Sequence, residues 1–133
     1  MKARFLLDSS IVIDHIGGFR RLPENVSKSE AMLFSQIAIA EIKVGFDGTR
    51  RGRRDREALE NFKRLPNVRE ITLTSTTTDI YAKVFRSLRA AGTPIPINDI
   101  WLAAQALEHG AVLVSRDRHF EAVANLQTMI LED

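Results

Sequence analysis

The 133-residue chain contains no cysteine at all. That excludes a disulfide framework, a thiolate zinc site, an iron–sulfur cluster and a cysteine nucleophile. It also lacks any apolar run near the roughly 18 residues that a membrane span needs, and Met1–Leu7 is too short for a signal peptide. No repeat, linker or low-complexity stretch interrupts it. Net charge is small, +2, while apolar residues make up 44% and charged residues 27%. These are ordinary globular proportions, so disordered and fibrous classes fall away. A chain of this length buries a sufficient core without staples. The expectation is one domain spanning residues 1–133, soluble and cytoplasmic.

Charge is informative in its distribution rather than its sum. Residues 43–69 carry nine Lys or Arg against four acids, whereas residues 90–133 carry two against six. Such a division suits a basic surface beside an acidic pocket, an arrangement that handles polyanions.

Two continuously apolar runs read as buried strands, Phe5-Leu6-Leu7 and Ala111-Val112-Leu113-Val114. Weaker strand signals lie at 32–34, 71–73 and 129–131. Helical periodicity is clearest over 75–91, where Ile80, Tyr81, Val84 and Leu88 share a face and Gly92 and Pro94 end the run. A second helix starts with Asn98 as N-cap, carries Ile100, Ala103, Ala104 and Leu107 on one stripe, and stops at Gly110. A third covers about 55–65, with Leu59, Phe62 and Leu65 inward, and a fourth about 37–46. Strands alternating with helices predict an α/β fold with a mostly parallel sheet covered on both faces. Ligands of such folds bind at the carboxyl ends of the strands.

Four carboxylates fall at such places. Asp8 follows the first strand and Asp117 the late one; Asp99 lies in a first helical turn; Glu41 sits among Ile39, Ala40 and Ile42. Each has an ordinary explanation when taken alone. Asp8 caps a helix beginning near Ser10, Asp99 answers a helix dipole, and Asp117 occupies a turn. Glu41 is harder to dismiss, because an acid amid apolar neighbours is rarely buried without a partner. If the four converge they repel. Two unit charges about 4 Å apart cost about 4 kcal/mol at an effective dielectric of about 20. A divalent cation relieves that, and hard oxygen donors with no His or Cys at matching positions favour Mg²⁺ or Mn²⁺ over zinc. Such a site activates water against a phosphodiester.

These residues resemble the PIN-domain ribonucleases, and within them the VapC toxins of bacterial toxin–antitoxin pairs. The resemblance spans the chain. Phe5-Leu6-Leu7-Asp8-Ser9-Ser10 is similar to the opening strand and first acid, and Ala38-Ile39-Ala40-Glu41-Ile42 to the second. Asn98-Asp99-Ile100-Trp101-Leu102-Ala103-Ala104 carries the third, and Val112-Leu113-Val114-Ser115-Arg116-Asp117-Arg118-His119-Phe120 the fourth. The resemblance implies a single PIN-like domain with its acidic pocket at the carboxyl ends of the strands. It also implies a Mg²⁺- or Mn²⁺-dependent endoribonuclease, neutralised by a cognate antitoxin and assembled as a homodimer. Asp8, Glu41, Asp99 and Asp117 would be the catalytic acids and metal ligands, with Ser10 and Ser115 as supporting hydroxyls. Two positions depart from the pattern: Ser10 stands where many members have Asn, and His119 where an acid is common.

Arg50, Arg51, Arg53, Arg54 and Arg56 crowd one short stretch. They read either as a solvated helix start or, with Arg116, as contacts to RNA phosphates or to an acidic antitoxin segment. His15, His109 and His119 are not spaced as metal ligands; His109 reads as a helix C-terminal cation and His119 as a surface residue. Trp101 and Tyr81 read as packed. Readings of other classes are a non-catalytic PIN-like RNA-binding module and a receiver-like phospho-acceptor domain. The latter lacks its early acidic doublet and late lysine here. A haloacid-type phosphatase would need a second acid where Ser10 stands.

Overall fold

The computed structural model describes residues 3–46 and 48–132. Five strands, β1 (Arg4–Leu7), β2 (Ala31–Ser35), β3 (Val68–Ile71), β4 (Val112–Ser115) and β5 (Thr128–Ile130), form one sheet in the order β3-β2-β1-β4-β5. All four pairings are parallel, with Leu6 opposite Leu33 on one side and Leu113 on the other. Six helices connect them: α1 (Ser9–Ile16), α2 (Glu24–Ser27), α3 (Gln36–Val44), α4 (Arg50–Lys63), α5 (Ser75–Ala91) and α6 (Ile97–His109). A 3-10 turn covers Arg118–Ala122. Leu6, Leu7, Phe34, Leu113 and Val114 have no exposed surface, as expected of central strands buried on both faces. The receiver-like reading falls here, because that fold orders its sheet 2-1-3-4-5.

Several expected boundaries shift for local reasons. Helix α6 begins at Ile97, with Pro96 at the cap position, so Asn98 lies inside the first turn instead of capping it. Proline's fixed φ suits a helix start, and its missing N–H costs nothing there. Helix α4 starts at Arg50, and Thr49 caps it by accepting from the Gly52 N–H at 3.1 Å. It ends at Lys63 with Arg64 as its C-cap, so Leu65 falls off the apolar stripe and is 40% exposed. β3 is Val68–Ile71 instead of 71–73, and Leu73 lies exposed beyond it.

Helices α5 and α6 pair as a hairpin whose turn uses Gly92 in the left-handed region. Their far ends are joined by Glu108, which accepts from Thr74 Oγ1 at 2.7 Å and from the buried Thr77 hydroxyl. A carboxylate suits the α5 N-terminus, where unpaired N–H groups carry partial positive charge. Thr77→Val is therefore expected to lower the unfolding free energy in urea by about 1–3 kcal/mol. A loss within experimental error would show the clamp to be idle. Among the described residues no helix is long and apolar enough to cross a membrane.

Candidate active site

Strand order reverses at β1. The chain builds outward through β2 and β3, then returns to the other side of β1 for β4 and β5. A crevice opens at such a switch point, outside the carboxyl ends of the two adjacent strands. Asp8 leaves β1 there, and its N–H bonds the Val114 carbonyl at 3.0 Å, so it stays in the ladder while its side chain enters the crevice. The same Asp8 is the N-cap of α1, with Oδ1 accepting from the Ser9 N–H at 2.7 Å. The capping and the acidic readings hold together. Oδ2 accepts from Ser115 Oγ at 2.7 Å and more loosely from Ser10 Oγ at 3.4 Å. The buried Ser115 hydroxyl in turn accepts from the Asp117 N–H at 3.0 Å, so one oxygen links the ends of β1 and β4.

Glu41 comes from α3 and Asp99 from the first turn of α6. Burial pushes the Glu41 carboxyl up from its ordinary value, and the Asp8 charge adds to that. Asn98 and Ser9 lie within hydrogen-bonding reach and oppose the shift, but Oε1 remains buried without a partner. Asp99 is pushed up to about 6, chiefly by burial, then by Asp8; His119 counters and Glu41 reinforces. Asp8, Glu41 and Asp99 are therefore electrostatic neighbours despite their wide separation in sequence. Asp117 belongs to the rim: its side chain is 65% exposed, and His119 Nδ1 lies 3.5 Å from its Oδ1.

His119 is the residue that sequence reasoning placed elsewhere. It is no plain surface histidine, because Nε2 stands 2.8 Å from Asp99 Oδ2, off the line of a straight hydrogen bond. Phe120, fully buried beside it in the 3-10 turn, packs against the imidazole with ring centres 4.7 Å apart. The apolar Phe120 was the available signal. The donor set is thus acidic with one imidazole at its edge.

The basic residues divide among different surroundings. Arg116 pairs with Asp14 on α1 at 2.8 Å. Arg53 donates to the Gly48 carbonyl at 3.0 Å, and the Arg56 guanidinium lies 5.0 Å from the centre of the Phe46 ring. Arg50, Arg51 and Arg54 line a cleft of about 810 Å³ between α1, the end of α3 and α4, together with Ile13, Ile42 and Phe46. None of the four acids lines it. Trp101 stacks on Tyr81 with ring centres 3.8 Å apart, in line with the packed reading.

Comparison with known proteins agrees with this fold. The PIN domain family model matches residues 5–126. Ribonuclease VapC4 of Mycobacterium tuberculosis is 23% identical, over 96% of this chain and 97% of that protein. Ribonuclease VapC1 of Haemophilus influenzae strain R2866 is 28% identical, over 92% and 94%. In structure, the chain is similar to one from VapBC2 of Rickettsia felis bound to a promoter DNA fragment, with a TM-score of 0.85 at 21% identity, over 97% and 99%. With its acids gathered at the switch point and a family match over nearly its whole length, this chain belongs to the PIN-domain family.

Proposed function

We propose that this protein is the ribonuclease toxin of a toxin–antitoxin pair. In this reading it hydrolyses RNA phosphodiester bonds at Asp8, Glu41, Asp99 and Asp117 with Mg²⁺ or Mn²⁺, and a cognate antitoxin silences it. The observation that carries it is the convergence of three mutually repelling carboxylates at the crevice, with Asp99 raised to about 6. Relatives named ribonucleases support it across almost the whole chain. Neighbouring structures named as VapBC complexes support the partner.

The donors suit a hard cation. They are oxygen-rich, one carboxylate oxygen of Glu41 is buried and unclaimed, and the repulsion among Asp8, Glu41 and Asp99 is what a cation neutralises. Among the described residues no three acid or imidazole side chains are already grouped closely enough to hold a metal ion. Asp8 and Asp99 would hold the cation most directly, with Glu41 and Asp117 completing the acidic set. A divalent cation there supplies positive charge to the scissile phosphate and lowers the pKa of water. The chain's own groups do the rest. Ser115 and the Ser9 N–H fix the Asp8 carboxylate, and Glu41 Oε1 offers an unpaired acceptor for the proton lost by attacking water. The water oxygen bonds to phosphorus, the bond to the leaving ribose oxygen breaks, and that oxygen takes a proton from solvent water while Glu41 later returns its own to solvent. Single-stranded RNA loops suit the open crevice, because their phosphates and bases are accessible.

The cleft between α1 and α4 fits the antitoxin better than RNA. Its lining combines apolar side chains with arginines, which suits an acidic segment with apolar side chains on one face. Charge reversal of Arg50 and Arg54 together is expected to weaken antitoxin binding at least about tenfold, while leaving RNA cleavage within twofold. A cleavage defect with intact antitoxin binding would reassign the cluster to RNA.

The test of the function is expression in a host without the antitoxin, mapping new RNA 5′ ends beside an Asp99→Asn control. Discrete ends made only by the wild type support the ribonuclease and name its target. No metal binding by calorimetry and no new ends would favour a non-catalytic RNA-binding module.

A further inference from the structure

We propose that His119 is a positioning residue for the metal site, a bridge that holds the Asp99 carboxylate and draws Asp117 toward it. The proposal rests on the metal-site reading above. Its observations are geometric. One ring nitrogen faces each of two carboxylates, Nε2 at 2.8 Å from Asp99 Oδ2 and Nδ1 at 3.5 Å from Asp117 Oδ1. The ring itself is held from below, tilted against Phe120 with centres 4.7 Å apart, and Phe120 has no exposed surface. The Asp117 backbone N–H is secured by Ser115, and its side chain is largely in solvent. The imidazole is thus the link through which Asp117 joins the cluster.

Groups that orient a metal's ligands from outside commonly change metal affinity about 10- to 100-fold when removed. The shape of the bridge makes a sharper prediction. In His119→Gln the side-chain amide reaches about as far as Nε2 and can keep the contact with Asp99. In His119→Asn the shorter amide replaces only Nδ1, on the Asp117 side.

The experiment is calorimetric titration of MnCl₂, and separately MgCl₂, into the purified full-length wild type, His119→Ala, His119→Gln and His119→Asn proteins. Melting temperatures are measured in chelator to establish that all four are folded. His119→Ala is expected to bind both ions about tenfold more weakly. His119→Gln should recover most of the loss and His119→Asn little of it. Equal affinities for all four proteins would overturn the proposal. So would a loss confined to Mn²⁺ with Mg²⁺ unchanged, which would make His119 a direct nitrogen ligand with a preference for the softer ion. No binding of either ion by the wild type would instead overturn the metal-site reading itself.

Discussion

Asp99→Asn is expected to abolish RNA cleavage, by at least about a hundredfold, and to raise the melting temperature of the metal-free protein. Both effects have one cause. Burial and the Asp8 charge hold the Asp99 carboxyl up at about 6, so its ionised form is disfavoured in the folded state. A carboxyl raised above its unfolded value of 3.8 contributes its full stability only below that value. The contribution fades as pH rises and is gone above about 6. At pH 7.5 the folded protein therefore carries a penalty, at most about 3 kcal/mol for a shift of this size. An uncharged amide relieves it. At roughly 2–4 °C per kcal/mol for a domain of this length, the gain amounts to several degrees.

The pH dependence separates this from any general effect of the substitution. The difference in melting temperature between Asp99→Asn and wild type should be largest above pH 6 and should shrink toward pH 4, where the wild-type side chain is also neutral. Melting the two proteins in chelator across that range reads the difference directly. His15 pulls the wild type the other way: burial, then the Arg21 charge, lowers it, so its contribution is lost as pH falls through the histidine range. It is common to both proteins and cancels. Saturating Mn²⁺ should reverse the order, stabilising the wild type more than the variant, because only the wild type has the full carboxylate set to bind it. A variant no more stable than wild type at pH 7.5 in chelator would mean that the three acids do not share one field.

Ser115→Ala has the second largest expected effect, and it acts through a single oxygen. The Ser115 hydroxyl donates to Asp8 Oδ2 and accepts from the Asp117 N–H, with no solvent access. Removing it strands a buried carboxylate oxygen and a backbone donor together, costing about 2–4 kcal/mol in urea unfolding. It also frees Asp8 to turn and Asp117 to drift. Cleavage at limiting Mn²⁺ should fall about 10- to 100-fold and recover largely at saturating Mn²⁺, because most of the loss is in apparent metal affinity. Ser10→Ala provides the comparison, because its 3.4 Å contact is weak; the loss there should stay under about 1 kcal/mol. Equal losses from the two substitutions would remove Ser115 from its linking role.

How much of this was legible in the sequence differs from residue to residue. Phe5–Leu7 and Val112–Val114 announce central strands by being apolar without alternation, and parallel pairing sends their carboxyl ends to the same side. Asp8 and Ser115 were readable for that reason. The edge strand β3 was misplaced because Arg69 and Glu70 are exposed and leave no clear pattern. Asn98 looked like a cap because its side chain is a good one. Pro96 two residues earlier decides the start instead, and Asn98 is released toward Glu41. The arginine run was plain as a concentration of charge. Its division among a cleft lining, a backbone carbonyl and an aromatic face was not, because that depends on how α4 packs against α1 and α3.

The amino-acid sequence by itself determined the α/β alternation, the two central strands with Asp8 and Asp117 just past them, and Glu41 and Asp99 as further candidate acids. Periodicity and strand composition are local properties, written in neighbouring residues. The tertiary structure alone decided that Asp8, Glu41 and Asp99 share one field, that Arg116 turns to Asp14, and that His119 stands over Asp99. Repulsion and desolvation depend on distance through space and on what covers a group, and neither quantity is carried by spacing along a chain.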